Sequence, residues 1–246
     1  MVSLKFIRSC LPLQPGLLFF LSVLKNKISS YSLIVYPAHM EKNKDITPVL
    51  FCVPDITGFT KFISTADISF SKDFIPSLLR KLINANNLKM NVGEIEGDAI
   101  FFYRTGRLPS MSRVAHQCKT LFKAFYDSIR SLEKDDPENY SKHLSEGQLG
   151  LKIIIHYGII STVNIKGRTK LIGEDVIIVH KLLKNSTKEK EYILLTNSYL
   201  NKTKKPMLAK SFNWAPLKTG EDQYDHIGKI GYSYISCHEK CFEAAD

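Results

Sequence analysis

The runs of apolar and polar positions along the chain change period several times, and each change marks an element. Val49–Val53 (VLFCV) is a short unbroken apolar run, which predicts a strand buried on both faces. It leads into Pro54-Asp55-Ile56-Thr57-Gly58-Phe59-Thr60, where the proline is expected to end the ladder and Gly58 to allow a sharp turn into a helix. From Ser71 to Asn86 the period is helical, with Phe74, Ile75, Leu78, Leu79, Leu82 and Ile83 on one face and Pro76 expected near the first turn. Met90–Ile95 and Ala99–Tyr103 predict a hairpin about the turn Glu96-Gly97-Asp98. After Pro109-Ser110, apolar residues recur at three and four from Met111 to Leu132, which predicts the longest helix. Asp135–Gly150 is polar, with Pro137 and Gly147, and reads as a surface loop.

Leu151–Tyr157 (LKIIIHY) and Ile159–Ile165 read as strands broken at Gly158, followed by a basic turn from Gly167 to Lys170. Gly173-Glu174-Asp175 then starts a short helix, Val176–Lys184, with Asn185 placed to cap it. Tyr192–Thr196 predicts a further strand, Asn197–Asn201 a short helix, and Tyr224–Cys237 one or two closing strands. The order β-α-β-β-α-β-β-α-β predicts an α+β fold, a ferredoxin-like split βαβ sandwich with an antiparallel sheet and helices packed on it. No internal repeat or linker divides residues 40–246, which read as one domain.

Composition narrows the classes of partner. The 246 residues are 44% hydrophobic and 24% charged, which excludes a disordered, collagenous or coiled-coil chain. The net charge is +10, but 27 of the 34 cations are Lys and only 7 are Arg. Readers of base edges rely on the arginine fork, so no specific nucleic-acid binding is expected. The five cysteines show no paired spacing, which reads as a reduced, cytoplasmic protein; Cys237 and Cys241 around His238 lack the second pair of a metal site.

Residues 1–39 are unlike the rest. Lys5, Arg8, Lys25 and Lys27 are unopposed by any acid and carry four of the +10 charges, leaving +6 on the remainder. The apolar run Leu11–Leu24 is interrupted by Pro12, Gln14 and Pro15, and it falls short of the about 20 residues a membrane span needs. The segment is read as an N-terminal extension: translation starting at Met40 is the favoured account, an interfacial anchor the alternative, and membrane contact is expected only if the extension is real. A peptide from residues 9–25 in the mass spectrum of the native protein would exclude the later start.

Two acids stand where acids are costly: Asp55 at the end of the first buried strand and Asp98 in the tight hairpin. In a split βαβ sheet these elements are neighbours. Two carboxylates and a backbone carbonyl, here that of Ile56, make a hard oxygen site suited to Mg²⁺ or Mn²⁺ carrying phosphates. Read from residues alone, a helix cap at Asp55 and a plain turn residue at Asp98 are the favoured account, and the metal site is the alternative.

These same residues carry a resemblance. FCVPDITGFT (51–60) resembles the opening motif of class III nucleotidyl cyclases, and GDAIFF (97–102) resembles their Gly-Asp hairpin. Ile155-His156-Tyr157-Gly158 and Gly173-Glu-Asp-Val176 resemble the later His-x-Gly strand and Gly-x-x-Val turn. More narrowly, PDITGFTKF, EIEGDAIFFY, GEDVIIVHKLLKN and EYILLT are similar to a family of uncharacterised bacterial cyclase-like domains.

The resemblance implies a site in which Asp55, the Ile56 carbonyl and Asp98 hold two metal ions, Mg²⁺ or Mn²⁺. Thr57, Gly58, Phe59, Thr60, Gly97 and His180 would contact a nucleoside triphosphate or another phosphorylated small molecule. It also implies a homodimer, because such sites form between two subunits. At the positions that read the base and orient the ribose the chain has Val92, Lys170 and Ile177, and at the arginine that stabilises the transition state it has Lys181. Lysine keeps the charge and loses the bidentate fork. The chain is therefore expected to be a divergent cyclase-like domain, a metal- and nucleotide-binding regulatory or signalling module with little or no cyclase activity. An active cyclase or nucleotidyl transferase with altered base selection is the first alternative. A basic protein bound to polyanions or a membrane surface is the second.

Overall fold

In the computed structural model of the protein the described residues are 46–144, 149–203 and 205–238. The 1–39 extension and Cys241 lie outside them. Strand β1 (Thr47–Thr57) is followed by helices α1 (Phe59–Thr65) and α2 (Ile68–Asn84), strands β2 (Asn91–Glu96) and β3 (Ala99–Thr105), and helices α3 (Met111–Asp135) and α4 (Pro137–His143). Then come β4 (Gly150–Ile165), β5 (Arg168–Ile172), α5 (Glu174–Leu182), β6 (Tyr192–Thr196), α6 (Asn197–Leu200), α7 (Lys205–Ser211), β7 (Leu217–Tyr224) and β8 (Gly228–Ser236). The sheet order is β2-β3-β1-β4-β6-β8-β7, with β5 pairing the far end of β4. Neighbours are antiparallel except β4 and β6.

Strand β1 is central and buried on both faces, as its unbroken apolar run predicts. Leu50, Cys52 and Ile56 join the core beneath α2 and α3, with Leu78, Leu82, Leu121, Phe122 and Phe125. Val49, Phe51 and Val53 face the other side, where α5 contributes Ile178, Val179 and Leu182. Cys52 and Cys118 lie wholly inside the first core, and burial pushes the Cys52 thiol up to about 12. These thiols act as small apolar side chains.

Five local expectations are corrected. Pro54 does not end the strand: β1 continues to Thr57, held by β4, while the ladder to β3 lapses at Val53 and Pro54, where proline has no hydrogen to donate. Pro76 lies mid-helix, because α2 starts at Ile68 after Asp67; Ile68 is exposed, so periodicity could not mark that first turn. The 135–150 loop contains α4, begun by Pro137 and capped by Asp136, whose carboxylate accepts from the Asn139 amide at 3.2 Å. Strand β4 runs unbroken through Gly158, and the basic turn is instead the pair Lys166–Gly167 (φ 51° and 80°) followed by β5. Helix α7 and strand β7 carry no continuous apolar face, so neither was legible in the sequence.

Gln117 on α3 is fully buried: its amide accepts from Leu88 N at 2.9 Å and donates to Ala85 O at 2.8 Å. It thereby fixes the chain between α2 and β2. Gln117→Leu strands the Leu88 amide and leaves Ala85 O only the Asn87 amide at 3.2 Å, and it is expected to cost about 1–3 kcal/mol, read as a lowered midpoint of urea unfolding at unchanged slope.

Candidate functional site

The end of β1, the start of α1, the β2–β3 turn and one side of α5 enclose a cleft of about 850 Å³. Asp55, Ile56, Thr57, Gly58, Phe59, Thr60, Asp98, His180 and Lys181 all line it. Gly97 is not in the wall; its φ of 61° shapes the turn that presents Asp98. Gly58 sits at φ 81°, a left-handed conformation that suits glycine and swings the chain from β1 into α1.

The two carboxylates converge because Asp55 pairs with Ala99 across the β1–β3 ladder, which puts Asp98 next to it. Asp55 is 8% exposed. The Asp98 carboxyl is pushed up to about 7, first by burial and then by the charge of Asp55 and a hydrogen bond with it. The sequence reading missed Lys152, which faces Asp55 in the β1–β4 register. Its ammonium lies 2.9 Å from Asp55 Oδ2 and donates to Leu183 O, just past α5, at 2.7 Å. A lysine inside the otherwise apolar LKIII run is the only signal of it in the sequence.

Lysine predominates among the cleft's other charges: Lys61, Lys152, Lys181 and Lys184 line it, against Asp55, Glu96 and Asp98. His180 is engaged on both ring nitrogens, by Glu94 at 3.0 Å and Glu96 at 2.9 Å, and it stacks on Phe101 with centroids 4.1 Å apart. It is held by carboxylates rather than presented as an unopposed cation. Lys170 pairs with Glu94 at 3.1 Å, and Val92 is 41% exposed on β2, without a polar atom to read a base. Ile177 lines the cleft and is 51% exposed, without a polar atom to orient a ribose.

The donors are hard oxygens of the kind divalent cations prefer. Asp55, Ile56 and Asp98 belong to one wall, and a cation there would offset the burial and the Asp55 charge that raise Asp98. Among the described residues there is no cluster of three or more His, Cys, Asp or Glu side chains that could hold a metal ion.

The two later motifs form a separate cluster. His156, buried in β4, meets Asp175 Oδ1 through Nε2 at 2.8 Å, and its Nδ1 lies 3.1 Å from both Thr196 Oγ1 and Ser198 Oγ. Asp175 Oδ2 accepts from Ile159 N at 2.7 Å. The His-x-Gly strand and the Gly-Glu-Asp-Val turn are thus two halves of one clamp between β4 and α5. Burial disfavours the Asp175 carboxylate, but the His156 hydrogen bond, the Ile159 amide and the His156 charge outweigh it and hold its pKa below the ordinary 3.8. A depressed carboxyl contributes stability that is complete above its unfolded value and is lost as pH falls through the folded one. The Asp175 contribution is therefore lost below about pH 4, where thermal midpoints are expected to fall less steeply in Asp175→Asn than in wild type.

Residues 75–192 match the family model described as "Protein of unknown function (DUF2652)". An uncharacterized protein of Mycobacterium tuberculosis is 30% identical over 120 residues, which is 49% of this chain and 56% of that protein. The match thus spans little more than half of the relative's length. Among solved structures, the guanylyl cyclase Cya2 aligns with a TM-score of 0.55 at 14% identity, over 79% of this chain and 95% of its own. The guanylate cyclase domain of RhGC from Catenaria anguillulae, solved in complex with GTP, gives 0.52 at 14% identity, over 78% and 98%. The adenylyl cyclase CyaB from P. aeruginosa gives 0.50 at 12% identity, over 79% and 96%. The fold is that of class III adenylyl and guanylyl cyclase domains: a mostly antiparallel sheet with helices packed on it, as the four motifs implied.

Proposed function

We propose that the protein is a divergent cyclase-like module that binds a nucleoside triphosphate with Mg²⁺ or Mn²⁺ and turns it over slowly or not at all. The observation that carries this reading is the convergence of Asp55, Asp98 and four lysines on one cleft. Carboxylates hold the metal, and lysines offer point charges to phosphate oxygens. Asp55, Asp98 and the Ile56 carbonyl are the metal's protein ligands in this reading. When bound, the metal supplies charge neutralisation for the triphosphate.

The catalytic half of the site is weakened by two residues. Ile177 has no donor or acceptor for a ribose, and Lys181 offers a single ammonium where a fork would grip a phosphoryl group from two sides. The loss of one preorganised donor typically lowers a rate by about 10²–10³, and two are altered here. Mass spectrometry of full-length protein incubated with Mn²⁺ and ATP or GTP is expected to find the nucleotide intact. A cyclic or transferred product that disappears in Asp55→Asn would replace this reading with the enzyme reading.

The reading includes a symmetric dimer. Ile159, Ile165 and Ile172 share one face of the β4–β5 hairpin and are each at least half exposed, an apolar face that a second copy would cover. Sedimentation equilibrium is expected to give twice the chain mass, and a monomer at high concentration would count against it. No helix among the described residues is long and apolar enough to cross a membrane.

A further inference from the structure

We propose that Lys152 is a built-in cation that takes the place of one divalent metal, so that the cleft accepts a single Mg²⁺ or Mn²⁺ rather than a pair. The inference rests on the reading of the cleft as a metal–nucleotide site and goes beyond it by fixing how many ions the site takes.

Three observations carry it. Lys152 lies directly across the ladder from Asp55, so the backbone register, not a flexible loop, delivers its ammonium to the carboxylate. That ammonium is held from two directions, by Asp55 Oδ2 at 2.9 Å and by the carbonyl of Leu183 at 2.7 Å, and the two charged side chains are only 15% and 11% exposed. The pair is thus a built, poorly hydrated contact rather than a surface ion pair of two mobile chains.

The consequence is electrostatic. A carboxylate that serves two metals presents one oxygen to each. With Oδ2 taken by the ammonium, Asp55 has Oδ1 left for one ion, shared with Asp98. One ammonium also halves the net charge of the carboxylate pair, and a second dication would have to sit beside that ammonium in a cleft that also holds Lys181 and Lys184. Among the described residues the cleft's one further acid, Glu96, already lies 2.9 Å from His180. The residue that excludes the second ion is then also the one that ties β4 to the end of α5, so metal count and the position of Lys181 are coupled through a single side chain.

The test counts ions by electron paramagnetic resonance on the full-length chain titrated with Mn²⁺ alone, without nucleotide. Wild type is expected to saturate at one Mn²⁺ per chain with the signal of an isolated ion. Lys152→Met is expected to hold the first Mn²⁺ at least about tenfold more tightly and to take a second, seen as a spin-coupled signal. Lys152→Arg, which keeps the charge and both hydrogen bonds, should stay at one ion and guards against a Met variant that fails to fold. Two ions in wild type would overturn the proposal while leaving the metal site standing. So would a folded Lys152→Met that binds a single ion no more tightly than wild type. No Mn²⁺ on wild type, Lys152→Met or Lys152→Arg would instead remove the metal reading itself, and the proposal with it.

Discussion

Gly158→Ala is expected to destabilise the protein by about 3–4 kcal/mol, although it adds one methyl group to a strand. A Cβ built on Gly158 would stand 2.0 Å from Asp175 Cγ and 2.3 Å from both carboxylate oxygens, so the side chain cannot stay where it is. Displacing it breaks the 2.8 Å bond to His156 Nε2, leaves a buried imidazole short of a partner, and frees the Ile159 amide. Strand β4 then loses its tie to the start of α5, the helix that carries Lys181, and keeps the Lys152 bond at the other end. For a domain of this size the cost corresponds to a fall of roughly 10 °C in thermal midpoint. Adding Asp175→Ala removes the clash, so the double variant should lose less stability than the sum of the two single ones. Strict additivity would mean that Gly158 and Asp175 do not act as one unit.

Asp98→Asn is expected to weaken metal-dependent nucleotide binding by about 100-fold or more, and Asp55→Asn by a similar factor, since each removes one of two carboxylate ligands. A fold lesion would give the same loss, and thermal midpoints in EDTA separate the two. The Asp98 carboxyl titrates at about 7 in the fold against an ordinary 3.8. Such a group binds its proton more tightly folded than unfolded, so the protein loses stability as pH rises from about 4 through 7 and does not recover it above. The neutral amide removes that penalty. At pH 8 without metal Asp98→Asn should therefore melt higher than wild type while binding less; a variant that both melts lower and binds less would indicate structural damage. The combination of lost binding and gained stability is what a site held together against charge repulsion produces.

The sequence exposed the site's frame better than its electrostatics. VLFCV could be read as a central strand because a strand buried on both faces shows an unbroken apolar run, and Gly97-Asp98 could be read as a turn because few other pairs suit one. Those two readings suffice to bring Asp55 and Asp98 together. Lys152 stayed hidden because its role depends on the β1–β4 register, which sets residues 97 positions apart side by side. Gly158 was read as a strand break, since nothing local reveals that a carboxylate from another element needs the missing Cβ. His180 was expected to contact the ligand, and nothing in the sequence signals that its ring meets Glu94 and Glu96, acids from the β2 strand. Helix α4 was lost in a polar stretch whose start signal, Asp136-Pro137, is legible but whose seven residues are too few to show a period.

The central claim is that the cleft binds a metal–nucleotide complex through Asp55 and Asp98. Isothermal titration of the full-length protein with GTP and with ATP, each in Mn²⁺ and again in EDTA, tests it most directly. Saturable heat with at least one nucleotide in Mn²⁺, absent in EDTA, is the result the account predicts. No heat with either nucleotide in Mn²⁺, or the same heat in EDTA, would contradict it, and the fold would then be a cyclase scaffold without the cyclase ligand.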